Sequence, residues 1–299
     1  MIATFYDAQS WYDSLQVGLN KRLSHGFQAQ VSFTYSKTLD NSSGSVAGDN
    51  SSLDYATTPW YDLSLNKGLS DFNIGKNLVI NALWNSPTPK SMGAFAEHAI
   101  GGWQLGGILT LASGIPEYPS MPDTVGENTQ TVNSGTITGT GGCTPQTLTN
   151  PNYRHSLVYI NASCFQFSPT ATAANSAYCD SPTGSTLGTG TNTNASSAPL
   201  NQCENLRGNL GRDTITGPGE ASLDFSAFKN NYIRKISETF NLQFRAEFFN
   251  VTNHTNFSPP PLNNLTPFSA SGAPVKTFGQ ITTTQLKNRQ IQFALKAIW

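Results

Sequence analysis

The sequence predicts an all-β protein: an antiparallel transmembrane β-barrel segment of about seven strands, incomplete as a barrel, with long extracellular loops. Three observations predict it. Apolar residues recur at every second position in seven separate segments, which is the period of a strand and not of a helix. The connections between those segments alternate short and long. Charged residues make up only 12% of the chain, about half of the usual ~25%, so the polar positions are filled by Ser, Thr, Asn and Gln.

The first two strands form a hairpin. Between Trp11 and Leu23, Leu15, Val17, Leu19 and Leu23 share one face, and Ser14, Gln16, Gly18, Asn20 and Arg22 share the other. After Ser24-His25-Gly26 the alternation resumes, with Phe27, Ala29, Val31, Phe33 and Tyr35 set against Gln28, Gln30, Ser32, Thr34 and Ser36. Five strands follow by the same test. Phe72 to Trp84 places Leu78, Ile80, Ala82 and Trp84 on one side. Trp103 to Leu111 does so with Trp103, Leu105, Leu109 and Leu111. Ala221 to Ala227 alternates Ala221, Leu223, Phe225 and Ala227 with Ser222, Asp224 and Ser226. Phe240 to Phe248 alternates Phe240, Leu242, Phe244, Ala246 and Phe248 with Asn241, Gln243, Arg245 and Glu247. Arg289 to Trp299 alternates Ile291, Phe293, Leu295, Ala297 and Trp299 with Gln290, Gln292, Ala294 and Lys296.

Alternation alone also describes a soluble sheet with one face in water. The connections decide against it. They run to about 3, 33, 18, 109, 12 and 40 residues, the rhythm of short periplasmic turns and long extracellular loops in outer-membrane barrels. Loops beyond about 15 residues are uncommon in compact soluble domains. Strands of about 9 to 13 residues suffice to cross a membrane when tilted. Trp11, Tyr12, Phe33, Tyr35, Trp84, Trp103, Phe240, Phe248 and Trp299 fall near strand ends, where aromatic girdles sit at the membrane interfaces. Chain 1–299 reads as one unit, with the long extracellular loop at about 113–219 inside it.

Composition excludes other classes. The net charge is −1, which rules out a nucleic-acid partner by bulk electrostatics. No apolar run reaches the 18 residues of a membrane helix. Aromatic residues are 11% of the chain, too many for a disordered one.

Seven strands are an odd number, and a single-chain bacterial barrel has an even one with both ends inside. Two open sheet edges in lipid would each leave backbone groups without partners. The parity therefore predicts strands upstream of Met1, with this chain as the C-terminal part of a larger barrel. The first sixteen residues hold no basic segment followed by an apolar run, which points the same way.

Cys143, Cys164, Cys179 and Cys203 all lie in the Ser/Thr/Gly-rich segment and show no metal-binding spacing. They are expected to form disulfides that staple the long loop, an arrangement suited to an oxidising compartment; three pairings are open. No nucleophile elbow, phosphate-binding loop or zinc-protease motif occurs, and neither His155 beside Ser156 nor His254 has a convincing acidic partner nearby in sequence. No enzymatic activity, cofactor or metal is expected. Gln243, Arg245, Glu247, Gln290 and Gln292 are the expected lumen-facing residues. Arg245 and Glu247, two apart on one face, read as a structural ion pair or a hydrogen-bonded contact with a plug, with a ligand contact as the other reading. Asn250, Asn253 and Asn256 read as strand-end and loop residues.

Several segments carry a family resemblance. SWYDSLQVGLNKRLSHGFQAQVSFTYSKTLDNSSG (10–44) resembles a hairpin of the TonB-dependent receptors of the Oar-like group. FNLQFRAEFFNVTNHTNF (240–257) resembles a characteristic strand of that group. FGQITTTQLKNRQIQFALKAIW (278–299) resembles its closing strand, and NLRGNLGRDTITGPGEASLDFSAFKN (205–230) is also similar. The resemblance is weak across 113–204. It implies a barrel of about 22 strands closed by a plug and driven by an inner-membrane energy-coupling complex. It also implies that Phe293, Leu295 and Trp299 form the C-terminal signal read by the barrel-assembly machinery. The sequence contains neither plug nor energy-coupling box, so the driving parts are implied by the resemblance alone.

The expectation is an outer-membrane receptor, in the lipid of the bacterial cell outer membrane, that imports an unidentified extracellular ligand through the energy-coupling complex. The alternative is a non-transporting surface barrel or adhesin whose loops bind a partner. A soluble sandwich module is the third reading.

Overall fold

The computed structural model describes residues 8–43, 67–87, 100–117, 119, 130–131, 147–166, 213–233, 235–268 and 273–299. Seven long strands dominate: β1 (Ser10–Ser24), β2 (Phe27–Asp40), β3 (Lys76–Asn85), β4 (Trp103–Ala112), β5 (Glu220–Tyr232), β6 (Asn241–Phe249) and β7 (Gln290–Ile298). Each pairs antiparallel with the next in chain order. The sheet is an up-and-down meander that is not closed; β1 and β7 are its two edges.

The β1–β2 turn shows why the register is firm. His25 and Gly26 both take positive φ, 52° and 77°, as a two-residue hairpin of matching twist requires. Gly26 has no room for a side chain either: a Cβ there would stand 2.5 Å from the Asn85 carbonyl. Its own carbonyl accepts from Asn85 N at 2.7 Å, tying the hairpin to β3.

Because partners in an antiparallel ladder share a face, the register writes each face as rows. One row runs Leu19–Val31–Ile80–Leu109–Leu223, and another runs Phe27–Trp84–Leu105–Ala227–Ala246–Phe293. The opposite face carries Asn20–Gln30–Asn81–Ile108–Asp224 and Gln28–Leu83–Gly106–Ser226–Glu247–Gln292. Among the described residues no layer covers the apolar face. Leu15 is 60% exposed and Leu295 68%. An uncovered apolar surface of this extent is a liability in water and the required surface in hydrocarbon. The long connections 41–75, 113–219 and 250–289 all leave one end of the sheet, and the short ones, 25–26, 86–102 and 233–240, leave the other.

The buried core lies not under the sheet but among the long connections. Leu148, Tyr159, Ile160, Cys164, Phe165, Ile215, Leu265, Phe278 and Ile281 form it. It joins the described parts of the 113–219 connection to the 250–289 connection through the bridge Val158–Gln280, while Thr149–Ile160 bridges within the first of them. Pro116–Glu117 pairs with Ile215–Thr216, closing the neck below it.

Two strands differ from their expected bounds by more than two residues. The third starts at Lys76, not Phe72, because Asn73 diverts the chain: its Oδ1 accepts from Thr38 N at 2.7 Å and its own N–H bonds to Ser70 O at 2.8 Å. The fifth continues past Ala227 to Tyr232, although Lys229 falls on the apolar face. Lys229 is accommodated because its ammonium donates to the Gly101 carbonyl in the adjacent short turn and lies 5.7 Å from the Trp103 ring centre.

Candidate functional site: the inner face and the loop cap

The five expected lumen-facing residues do share the polar face of β6 and β7. Four of them take part in side-chain bonds. Asn230 Oδ1, on β5, accepts from Asn241 Nδ2 at 2.9 Å and from Gln243 Nε2 at 2.8 Å. Gln243 Oε1 accepts from Arg245 Nε at 2.5 Å, and the Arg245 guanidinium lies 5.2 Å from the Phe228 ring centre. Glu247 accepts from Gln292. Gln290 stands opposite Phe249. The expected Arg245–Glu247 ion pair does not form: Arg245 bonds Gln243, two residues back on its own strand, and lies against Phe228 across the β5 ladder, whereas Glu247 turns to its cross-strand partner Gln292. The result is a hydrogen-bonding polar wall with both signs of charge. On β1–β3, at the other side of the sheet, a shallow recess of about 320 Å³ is lined by residues that include Asn20, Arg22, Gln28, Gln30 and Asn81.

At the other end the strands pass into the cap through a knot of asparagines. Asn250 and Asn253 take left-handed φ of 49° and 51°, a region that Asn tolerates better than most residues. Asn250 N bonds Asp224 Oδ1 at 2.8 Å, and Asn250 Oδ1 accepts from His254 N at 3.0 Å. Asn253 Oδ1 accepts from Arg289 N at 3.1 Å. His254 Nδ1 lies 3.3 Å from Asn256 Oδ1. These side chains replace the ladder bonds that end with β6, as their reading as strand-end residues requires.

Inside the cap, Tyr153 packs edge-on against Tyr159 at 4.9 Å and Phe257 at 5.7 Å, and Phe165 against Phe278 at 5.1 Å. Tyr159 donates from its hydroxyl to Thr216 O at 2.5 Å, and burial pushes that phenol well above its ordinary range. Glu117, in the neck, is buried; desolvation, with a smaller contribution from the charge of Asp71, pushes its carboxyl up to about 8. A recess of about 410 Å³ opens beside the core, between Thr147, Asn150, Val158 and Asn161.

Cys164 is fully buried in this core and is disulfide-bonded. Cys143, Cys179 and Cys203 lie outside the described residues. Phe293, Leu295 and Trp299 all project from the apolar face of the last strand, and Trp299 lies 4.9 Å from Phe240, ring centre to ring centre. His155 and Ser156 sit on an exposed turn of helix, Tyr153–Ser156. Among the described residues no three His, Cys, Asp or Glu side chains are grouped to hold a metal. Alternation did not reveal Glu117 or the cap core. The signals for them were isolated apolar residues in polar loops, such as Tyr159-Ile160 and Phe278, which carry no period.

No curated protein and no solved structure matches the chain significantly. A family model described as "outer membrane beta barrel domain" matches residues 1–292, nearly the whole length. The match agrees with the uncovered apolar face, the polar inner wall and the segregation of long and short connections: the chain belongs to the outer membrane β-barrel domain family, and its place is the bacterial outer membrane.

Proposed function

We propose that the chain forms a sector of a TonB-dependent receptor barrel that imports an unidentified ligand. The observation that carries this reading is the open meander. Seven strands with a lipid face and a polar lumen face end on two unpaired edges, and each unpaired backbone group in lipid costs several kcal/mol. Strands beyond β1 and β7 would complete a larger barrel, and the resemblance of residues 10–44, 205–230, 240–257 and 278–299 to Oar-like receptors points to that class. Arg245, Glu247 and their amide neighbours then face the plug, with no enzymatic role. Phe293, Leu295 and Trp299 present the closing strand to the barrel-assembly machinery. The energy-coupling complex acts through the plug.

The test is uptake. Cells expressing the receptor would be offered a panel of metal chelates, oligosaccharides and peptides, with and without a collapsed proton-motive force. Energy-dependent accumulation of one panel member supports import. Binding or passive entry that ignores energisation overturns it. The second reading, a surface barrel that binds a partner, draws on the packed core of the cap, which makes a rigid recognition surface; it predicts surface binding with no energised uptake.

A further inference from the structure

The extracellular end of β1–β3 carries an unusual set of residues on its outward, lipid-side face. The ladder puts Leu15, Tyr35 and Lys76 in one row, Asp13 and Lys37 in the next, and Trp11, Leu39 and Leu69 in the one above. Lys67 reaches the same face: its ammonium lies 4.1 Å from the Trp11 ring centre. Lys37, Lys67 and Lys76 are all exposed. Lys37 and Lys76 are diagonal neighbours, about 7–8 Å apart. Among the described residues of these rows one opposing charge shares the face, Asp13, opposite Lys37. Asp40 lies on the other face, buried and bonded to Ser43 Oγ at 2.8 Å. The described residues of these rows, with Lys67, are therefore net positive by two. Below it begins the apolar face, at Leu15, Val17 and Phe33; beside it Phe72 and Ile74 are exposed.

Three ammonium groups at the upper border of a lipid-facing surface form neither a lumen site nor a girdle of the ordinary kind, in which aromatics suffice. With the long connections outside, this border of the sheet meets the headgroups of the outer leaflet. We propose that this patch binds the phosphate groups of a phosphorylated glycolipid of the outer leaflet, with Lys37, Lys67 and Lys76 as its cationic ligands and the apolar rows below them against its acyl chains. Charge complementarity selects the phosphorylated lipid, since a neutral headgroup would leave two of the three positive charges unbalanced. The stacking of Lys67 on Trp11 holds one of them in place. The inference needs the outer-membrane location and the long loops on the outside; it does not need the importer reading.

The experiment is native mass spectrometry of the full chain released from nanodiscs containing bis-phosphorylated lipid A or its dephosphorylated form. Retention of the phosphorylated lipid at least about tenfold above the dephosphorylated one is expected, an amount equal to about 1.4 kcal/mol. The K37Q/K67Q/K76Q variant should lose that preference while keeping its heat-modifiable migration on gels. Equal retention of both lipids by the unmodified protein overturns the proposal, whether or not the variant folds. An unchanged preference in the folded variant overturns it as well.

Discussion

Asn256 is held against Ala221 as though it were a strand residue: its side-chain Oδ1 accepts from Ala221 N at 2.7 Å and its Nδ2 donates to Ala221 O at 3.0 Å. The amide thus copies both bonds of a peptide partner at the point where β6 has ended and β5 still needs one. It also fixes the path of the chain into the cap, because Asn256 O accepts from Gln285 N at 2.8 Å. Asn256→Ala leaves a buried N–H and C=O unpaired and is expected to cost about 1–3 kcal/mol. Asn256→Asp keeps the acceptor and loses the donor, so it should fall between. Denaturant unfolding in detergent micelles, read by tryptophan fluorescence, orders the three proteins.

Gly279 is a close approach within the cap core. It takes φ +70°, and a Cβ there would lie 2.8 Å from both the side chain and the carbonyl of Ile160. Its carbonyl accepts from Tyr159 N and its N–H donates to Asn264 O, both at 2.7 Å. Gly279→Ala combines left-handed strain with overpacking and is expected to destabilise the cap by about 2–5 kcal/mol. Limited proteolysis should show faster cleavage within 147–166 and 256–284. The membrane strands should stay protected, since they share no core with the cap.

Cys164 puts the same separation to a redox test. Its sulfur is buried among Leu148, Phe165 and Phe278, so breaking the disulfide loosens a packed core and not only a loop. Reduction, or Cys164→Ser, is expected to cost the cap about 2–5 kcal/mol and to speed hydrogen exchange at Tyr159 and Ile160. Exchange in β4 and β5 should not change. Equal loosening of cap and strands would show that the two do not unfold separately.

How much of this was legible in the sequence follows from what has a period. Leu15, Val17 and Leu19, or Phe244, Ala246 and Phe248, announce their face because a strand repeats every two residues and one face meets hydrocarbon. Lys229 breaks the pattern, and the expected end of β5 fell short for that reason. The ladder continued because a distant carbonyl, Gly101, supplied the ammonium's partner, and no local pattern encodes such a partner. Arg245 and Glu247 share one face, as the alternation says, but the ion pair between them does not form: Gln243 on the same strand takes Arg245 and Gln292 across the ladder takes Glu247, a choice of rotamer and register that alternation does not encode. The cap core brings together residues from Leu148 to Ile281, with a sequence separation and irregular backbone that leave no repeat to read.

Glu117 gives the cap a dependence on pH. Its carboxyl is pushed up from 4.5 to about 8, chiefly by burial in the neck and secondarily by the charge of Asp71. Folding therefore favours the protonated acid. Below about pH 4.5 the group is protonated both folded and unfolded, and its contribution is complete. As pH rises from there to about 8 the unfolded chain gives up the proton and the folded one keeps it, so stability falls steadily, and the loss is full above 8. Glu117→Gln holds the neutral form at every pH. It should match the unmodified protein in acid, exceed it in alkali, and flatten the profile between. Asp71→Asn should shift the profile slightly toward acid by removing the smaller cause. The readout is the proteolysis rate of the cap, measured with a protease active across that range on the unmodified and substituted proteins. A slope that survives Glu117→Gln would assign the pH dependence to another group.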